Sequence, residues 1–186
     1  MLFYIKKYLL LEITVTLILG GCGIWGIKQF QIPVTFEPSP RILLGGALGA
    51  VWLTIWTFMV QNGYRLVKGK AYARQLTASL AKEYVSASFL QVLLGGITAA
   101  CGEELFFRGF IQGKFGILAG SLLFMLAHMG KKDIRIVSIW SFPQGFFIGL
   151  FYAYFGNLLV PMIAHGSFDI GGMVYFHFFM KNEEKT

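Results

Sequence analysis

The sequence predicts an all-α fold, a polytopic transmembrane helical bundle of about six spans with one interfacial amphipathic helix. Three observations predict it. Of the 186 residues 56% are hydrophobic and only 13% charged, against roughly 25% charged in a soluble domain, and the mean hydropathy is +0.64. Six apolar segments approach the ~20 helical residues needed to cross a ~30 Å bilayer core. The basic residues gather in the short stretches between those segments.

The spans are read at 8–27, 42–60, 86–112, 115–130, 136–157 and 158–180. The third is long, so it is expected to tilt or to leave the membrane near Arg108. Phe142-Pro143-Gln144-Gly145 lies within the fifth, where a kink is expected because proline lacks the N–H and clashes with the preceding turn. With the N-terminus cytoplasmic, the inner segments hold twelve of the 16 basic residues, and only Lys28, Arg41, Arg108 and Lys114 fall on the outer side. That asymmetry places both termini in the cytoplasm of a multi-pass protein, with a bacterial plasma membrane as the expected setting. The net charge of +7 is accounted for in the same way, by loops facing an anionic leaflet, so no nucleic-acid partner is expected.

Residues 1–85 form two spans plus a cytoplasmic connector, and 86–180 the remaining four, all in one integral membrane domain. In the connector Tyr72, Leu76, Leu80 and Tyr84 recur every four residues between basic positions, as on a helix lying at the inner interface or on an ordinary helical link. The outer stretch PVTFEPSP carries no visible chemistry. Leu19-Gly20-Gly21-Cys22 after an apolar run resembles a lipoprotein signal, but Glu12 inside that run argues against cleavage. Cys22 and Cys101 make no disulfide framework.

Ionisable groups at membrane depth cost about 2.5–3.5 kcal/mol each on insertion scales, so each marks a functional site by default. The last four spans hold Glu103, Glu104, Arg108, His128, His165, Asp169 and His177. Glu104 and Arg108 are four apart and can pair on one helical face, while Glu103 points about 100° away. His165 and Asp169 also share a face, as do Phe124 and His128. His177 reads best as an interhelical hydrogen-bonding residue. Glu103, His128, His165 and Asp169 together supply a base, a proton relay and donors for an oxyanion. Other intramembrane chemistries lack their motifs: there is no HExxH and no GxGD, and Gly120-Ser121 lacks a serine-protease context.

These residues carry a family resemblance. EELFFRG resembles the EExxxR motif of the CAAX prenyl protease and bacteriocin-processing (CPBP, or abortive-infection) family of intramembrane proteases. FMLAH at 124–128 is similar to its FxxxH motif, and GFFIGLFYAYFGNLLVPMIAHGSFD at 145–169 to its third region ending in HxxxN. The resemblance implies that 86–180 is the catalytic core, an endopeptidase acting on a membrane-anchored or transmembrane substrate among membrane lipids. It implies Glu103 as the base activating water with His128 beside it, and His165 stabilising the oxyanion with help from position 169. Glu104 and Arg108 support the site. Asp169 stands where the family often has asparagine; an ionised carboxylate cannot donate to an oxyanion, so Asp169 is protonated, orients His165, or binds a cation.

No metal is expected. The alternative is zinc or another divalent ion on Glu103, His128 and His165. Rival functions are a non-catalytic binding or immunity protein on the same scaffold, a sortase-like transpeptidase, and a small transporter, which would show an internal repeat that the halves lack. One tension concerns depth. With the outer turn near Gly113, His128 lies several ångströms deeper than Glu103 on ideal helices.

Overall fold

The computed structural model describes residues 2–69, 88–130 and 139–175. Among them the chain is all α, with six helices. We label them α1 (Leu2–Gln29), α2 (Pro40–Lys68), α3 (Phe89–Phe115), α4 (Ile117–Ala127), α5 (Ser141–Phe155) and α6 (Leu159–Tyr175). A 3-10 turn, His128–Gly130, extends α4. Most of the amphipathic connector, His177 and five basic residues of the last two inner segments lie outside the described residues.

Local chemistry sets the helix ends. Ser39 caps α2 by accepting from the Ile42 N–H, with Pro40 in the first turn. Ser88 and Gln91 form a reciprocal capping box that starts α3 three residues later than the sequence expectation. The expected kink at Pro143 is not there. Pro143 falls in the first turn of α5, where the missing N–H is one that has no helical partner anyway. The turn between α3 and α4 is made by Gly116 at φ +87°, not near Gly113.

That shift removes the depth tension. From Gly116, Glu103 is thirteen residues back and His128 twelve residues on, so the two are nearly equidistant from the turn along the chain.

The bundle is inside-out relative to a soluble domain. Leu118, Leu122 and Leu126 form an exposed stripe on α4, and α2 and α3 carry similar ones, while Glu104, Arg108, Ser121 and His165 are buried. Apolar surface outside and ionisable groups inside fit a helical membrane protein. Two helices, Pro40–Lys68 and Phe89–Phe115, are long and apolar enough to cross a bilayer, and Ile13–Gln29 and Ile117–Ala127 are shorter apolar helices.

α3 and α6 are central. α6 packs on α2 and α3, α1 on α3, and α4 on α5. Small residues permit the closest approach: a Cβ on Gly23 of α1 would lie 2.7 Å from the Leu105 backbone. The loop between α1 and α2 has a structural task that its composition hid. The Leu158 N–H donates to Thr35 O (3.0 Å), Thr35 Oγ1 to Gly156 O (2.7 Å) and Asn157 Nδ2 to Glu37 O (2.9 Å). Asn157 Oδ1 also accepts from the Leu159 N–H and so caps α6.

Candidate active site

The site begins with a departure from ideal geometry. The EE pair closes the α-helical part of α3, and Leu105–Gln112 continues as a π-helix. Wide π turns are rare and recur at functional sites. Here Phe107, Arg108 and Gly109 are all buried in succession because the segment has neighbours on three sides. Gly109 faces Ile27 of α1, Phe107 meets the Phe124 ring of α4 edge-on at 5.3 Å, and Arg108 reaches α5.

Glu104 and Arg108 are both 0% exposed and pair as the spacing predicts, with Arg108 Nε 3.1 Å from Glu104 Oε2. The angle is outside hydrogen-bonding range, so charge attraction rather than an aligned hydrogen bond holds them. The guanidinium completes its surroundings elsewhere. Nη2 donates to Gly145 O at 3.2 Å, and Cζ lies 4.5 Å from the Phe124 ring centroid. One turn further along, Gln112 Nε2 donates to Gly149 O at 2.8 Å. Arg108 and Gln112 thus grip carbonyls four residues apart on α5, and glycine at 145 leaves room: a Cβ there would lie 3.1 Å from Phe124.

His165 is the junction. Its Nδ1 is 2.7 Å from Glu104 Oε1, and its Nε2 is 3.3 Å from Asp169 Oδ2. An ionised carboxylate only accepts, so Nδ1 donates to Glu104. At Nε2 a proton on either the ring or Asp169 would bridge the two. Asp169 thus stands against the edge of the His165 ring opposite Glu104. Glu104 therefore does more than neutralise Arg108: it also holds an imidazole of α6.

Glu103 occupies the neighbouring face. Among the described residues its Oε2 is buried with no hydrogen-bond partner, and it interacts electrostatically with His165, His128, Asp169, Glu104 and Arg108. The structure thus brings Glu103 within electrostatic range of all three other predicted catalytic residues.

His128 is the most exposed of the four. Its Nδ1 lies 2.8 Å from Phe124 O. A carbonyl only accepts, so Nδ1 carries the proton and Nε2 the lone pair when the ring is neutral. Phe124 is a hub, contacting His128 (4.5 Å between ring centroids) and His165 (5.8 Å) as well as Phe107 and Arg108. The site residues that sequence reasoning missed are Gln112 and the Gly145 and Gly149 carbonyls. Four-residue spacing from Arg108 to Gln112 was the available signal.

Among the described residues no three His, Cys, Asp or Glu side chains are grouped as a metal ion would require. Both nitrogens of His165 face carboxylates, so that ring would have to leave Glu104 or Asp169 to become a ligand. The arrangement as it stands does not fit a zinc centre of three protein ligands.

Residues 85–171 match the family model described as type II CAAX prenyl endopeptidase Rce1-like. The resemblance read from the three motifs is thereby shown over that stretch, and the family is one of endopeptidases. An uncharacterized protein of Bacillus subtilis (strain 168), YpbD, is 32% identical over 88 residues, 47% of each chain. The matched part thus spans about half the length of that relative. No solved structure matches.

Proposed function

We propose, with the family likeness of residues 85–171 as premise, that this chain is an intramembrane endopeptidase that hydrolyses a peptide bond of a membrane-associated substrate. The observation that carries the reading is the unequal treatment of two adjacent glutamates. Glu104 is consumed by Arg108 and His165, whereas Glu103 keeps a buried oxygen with no hydrogen-bond partner beside two imidazoles.

Glu103 takes a proton from water as the water oxygen attacks the scissile carbonyl carbon. The carbonyl electron pair moves onto oxygen, and His165 stabilises that charge through its Nε2 proton as the long 3.3 Å contact with Asp169 gives way. His128 orients the water by accepting a hydrogen bond at Nε2. The proton on Glu103 then passes to the amine nitrogen as the C–N bond breaks. Glu104, still bound at Nδ1, keeps the imidazole turned toward the reacting atoms. The binding of α3 to α5 by Arg108 and Gln112 keeps Glu104, and through it His165, in register with Glu103.

The test compares membrane proteomes of cells carrying wild-type protein and Glu103→Gln at equal abundance. At least one peptide terminus disappears in the variant and returns with the wild type. Identical termini in both, with the cellular phenotype retained, would establish the non-catalytic binding protein instead. A new amide at the cleaved end in place of a free carboxylate would identify transpeptidation.

A further inference from the structure

Away from the candidate site, the C-terminal half of α2 and the start of α5 enclose a cavity of about 430 Å³. Among the described residues its walls are Trp56, Met59, Val60, Val67 and Trp140, and the one charged residue lining it is Lys68. Trp56 and Trp140 stand against each other with ring centroids 5.8 Å apart. Gly63 opens a slot in the wall, since a Cβ there would meet nothing within 4 Å.

The geometry points to an acyl-chain site: we propose that this cavity holds one chain of an anionic phospholipid whose headgroup is met by Lys68. Three features select this occupant. From Trp56 to Lys68 is twelve residues, about 18 Å along the helix, close to half of the ~30 Å bilayer core, so the cavity is one leaflet deep. The described lining is almost wholly apolar, which suits a methylene chain better than a peptide, whose unsatisfied amides are costly in hydrocarbon. An acyl chain brings no such groups. At one end Lys68, in the last turn of α2, lines the cavity with no acid among the described lining residues, which complements an anionic headgroup. The proposal is independent of the peptidase reading and stands on the helical membrane fold alone.

The full chain is reconstituted in phosphatidylcholine bilayers and its tryptophan fluorescence titrated with acyl-brominated phosphatidylglycerol or acyl-brominated phosphatidylcholine. Trp25→Phe is the parent for all variants, because Trp25 lies on α1 away from the cavity. In that parent the anionic lipid quenches at about a fivefold lower mole fraction, the preference that one basic side chain at the membrane surface confers. Lys68→Gln removes the preference and leaves quenching by phosphatidylcholine intact. Gly63→Leu, which meets open space, fills the slot and lowers quenching by both lipids. Equal potency of the two lipids in the parent overturns the site and leaves only annular lipid. A preference that survives Lys68→Gln overturns the headgroup assignment. Absence of quenching by either lipid means that a segment of the chain or a protein partner fills the cavity, and overturns the proposal as well.

Discussion

Neutralising Glu104 tests the site's internal division of labour most directly. In Glu104→Gln the Arg108 guanidinium, 0% exposed, loses its paired carboxylate and keeps Gly145 O, the faces of Phe124 and Phe107 and the more distant charge of Glu103. His165 loses a charged acceptor at the same time. Stranding one partner of a buried ion pair costs about 3–5 kcal/mol. That is a large share of a typical unfolding free energy of about 5–15 kcal/mol. At roughly 2–4 °C per kcal/mol for a chain of this size, the midpoint falls by on the order of 10 °C. The assay is the fraction of monodisperse protein surviving heating in detergent, read by size-exclusion chromatography for Glu104→Gln, Arg108→Gln and the double variant. The double variant is expected to lose less than the sum of the single losses, because neither charge is then left alone. Additive losses, or a Glu104→Gln midpoint equal to wild type, would refute the reasoning.

Glu103→Gln is expected to keep the wild-type midpoint within about 0.5 kcal/mol while abolishing turnover, since no ion pair or hydrogen bond is lost with its Oε2; turnover within tenfold of wild type excludes it as the base. Exhaustive chelation is expected to leave activity unaltered, and one equivalent of zinc whose removal and return switch turnover off and on would show metal-activated water. Phe124→Ala removes the ring shared by Arg108, His128, His165 and Phe107, and is expected to cost about 3–5 kcal/mol in the same heating assay, with Phe124→Leu losing clearly less. Asn157→Ala deletes the bonds to Glu37 O and from the Leu159 N–H, a loss of about 1–3 kcal/mol without change of turnover at permissive temperature.

What the sequence made legible were the features with a strong local cause. Apolar length and the scarcity of charge marked the helices, and four-residue spacing found Glu104–Arg108, His165–Asp169 and Phe124–His128, each in contact in the structure. What it hid depends on partners far along the chain. Nothing in Leu105–Gln112 distinguishes a π-helix from an α-helix; the difference arises when Phe107, Arg108 and Gly109 must each satisfy a different neighbour. The turn after the third span is expected near Gly113, yet Gly113 stays helical and packs on Ile32, and the left-handed residue is Gly116. Pro143 was read as a kink since its helix was expected to begin earlier. PVTFEPSP looked inert because its bonds go to Gly156, Asn157 and Leu158, more than a hundred residues away.

The same long-range logic explains why a lipid-facing bundle keeps three ionisable groups within six positions. Arg108 fastens α3 to α5 through Gly145 O and to α4 through the Phe124 ring, and Glu104 fastens α3 to α6 through His165. Each is affordable only because the other cancels its charge, so neither can be replaced alone. A neutral interface could join the same helices, but it would leave His165 free to rotate about its side chain. The carboxylate at Nδ1 fixes which ring nitrogen faces Asp169, and thereby where a proton can be offered. Glu103 needs no anchor of its own: it follows the backbone of a helix already clamped on three sides, one residue before the clamp.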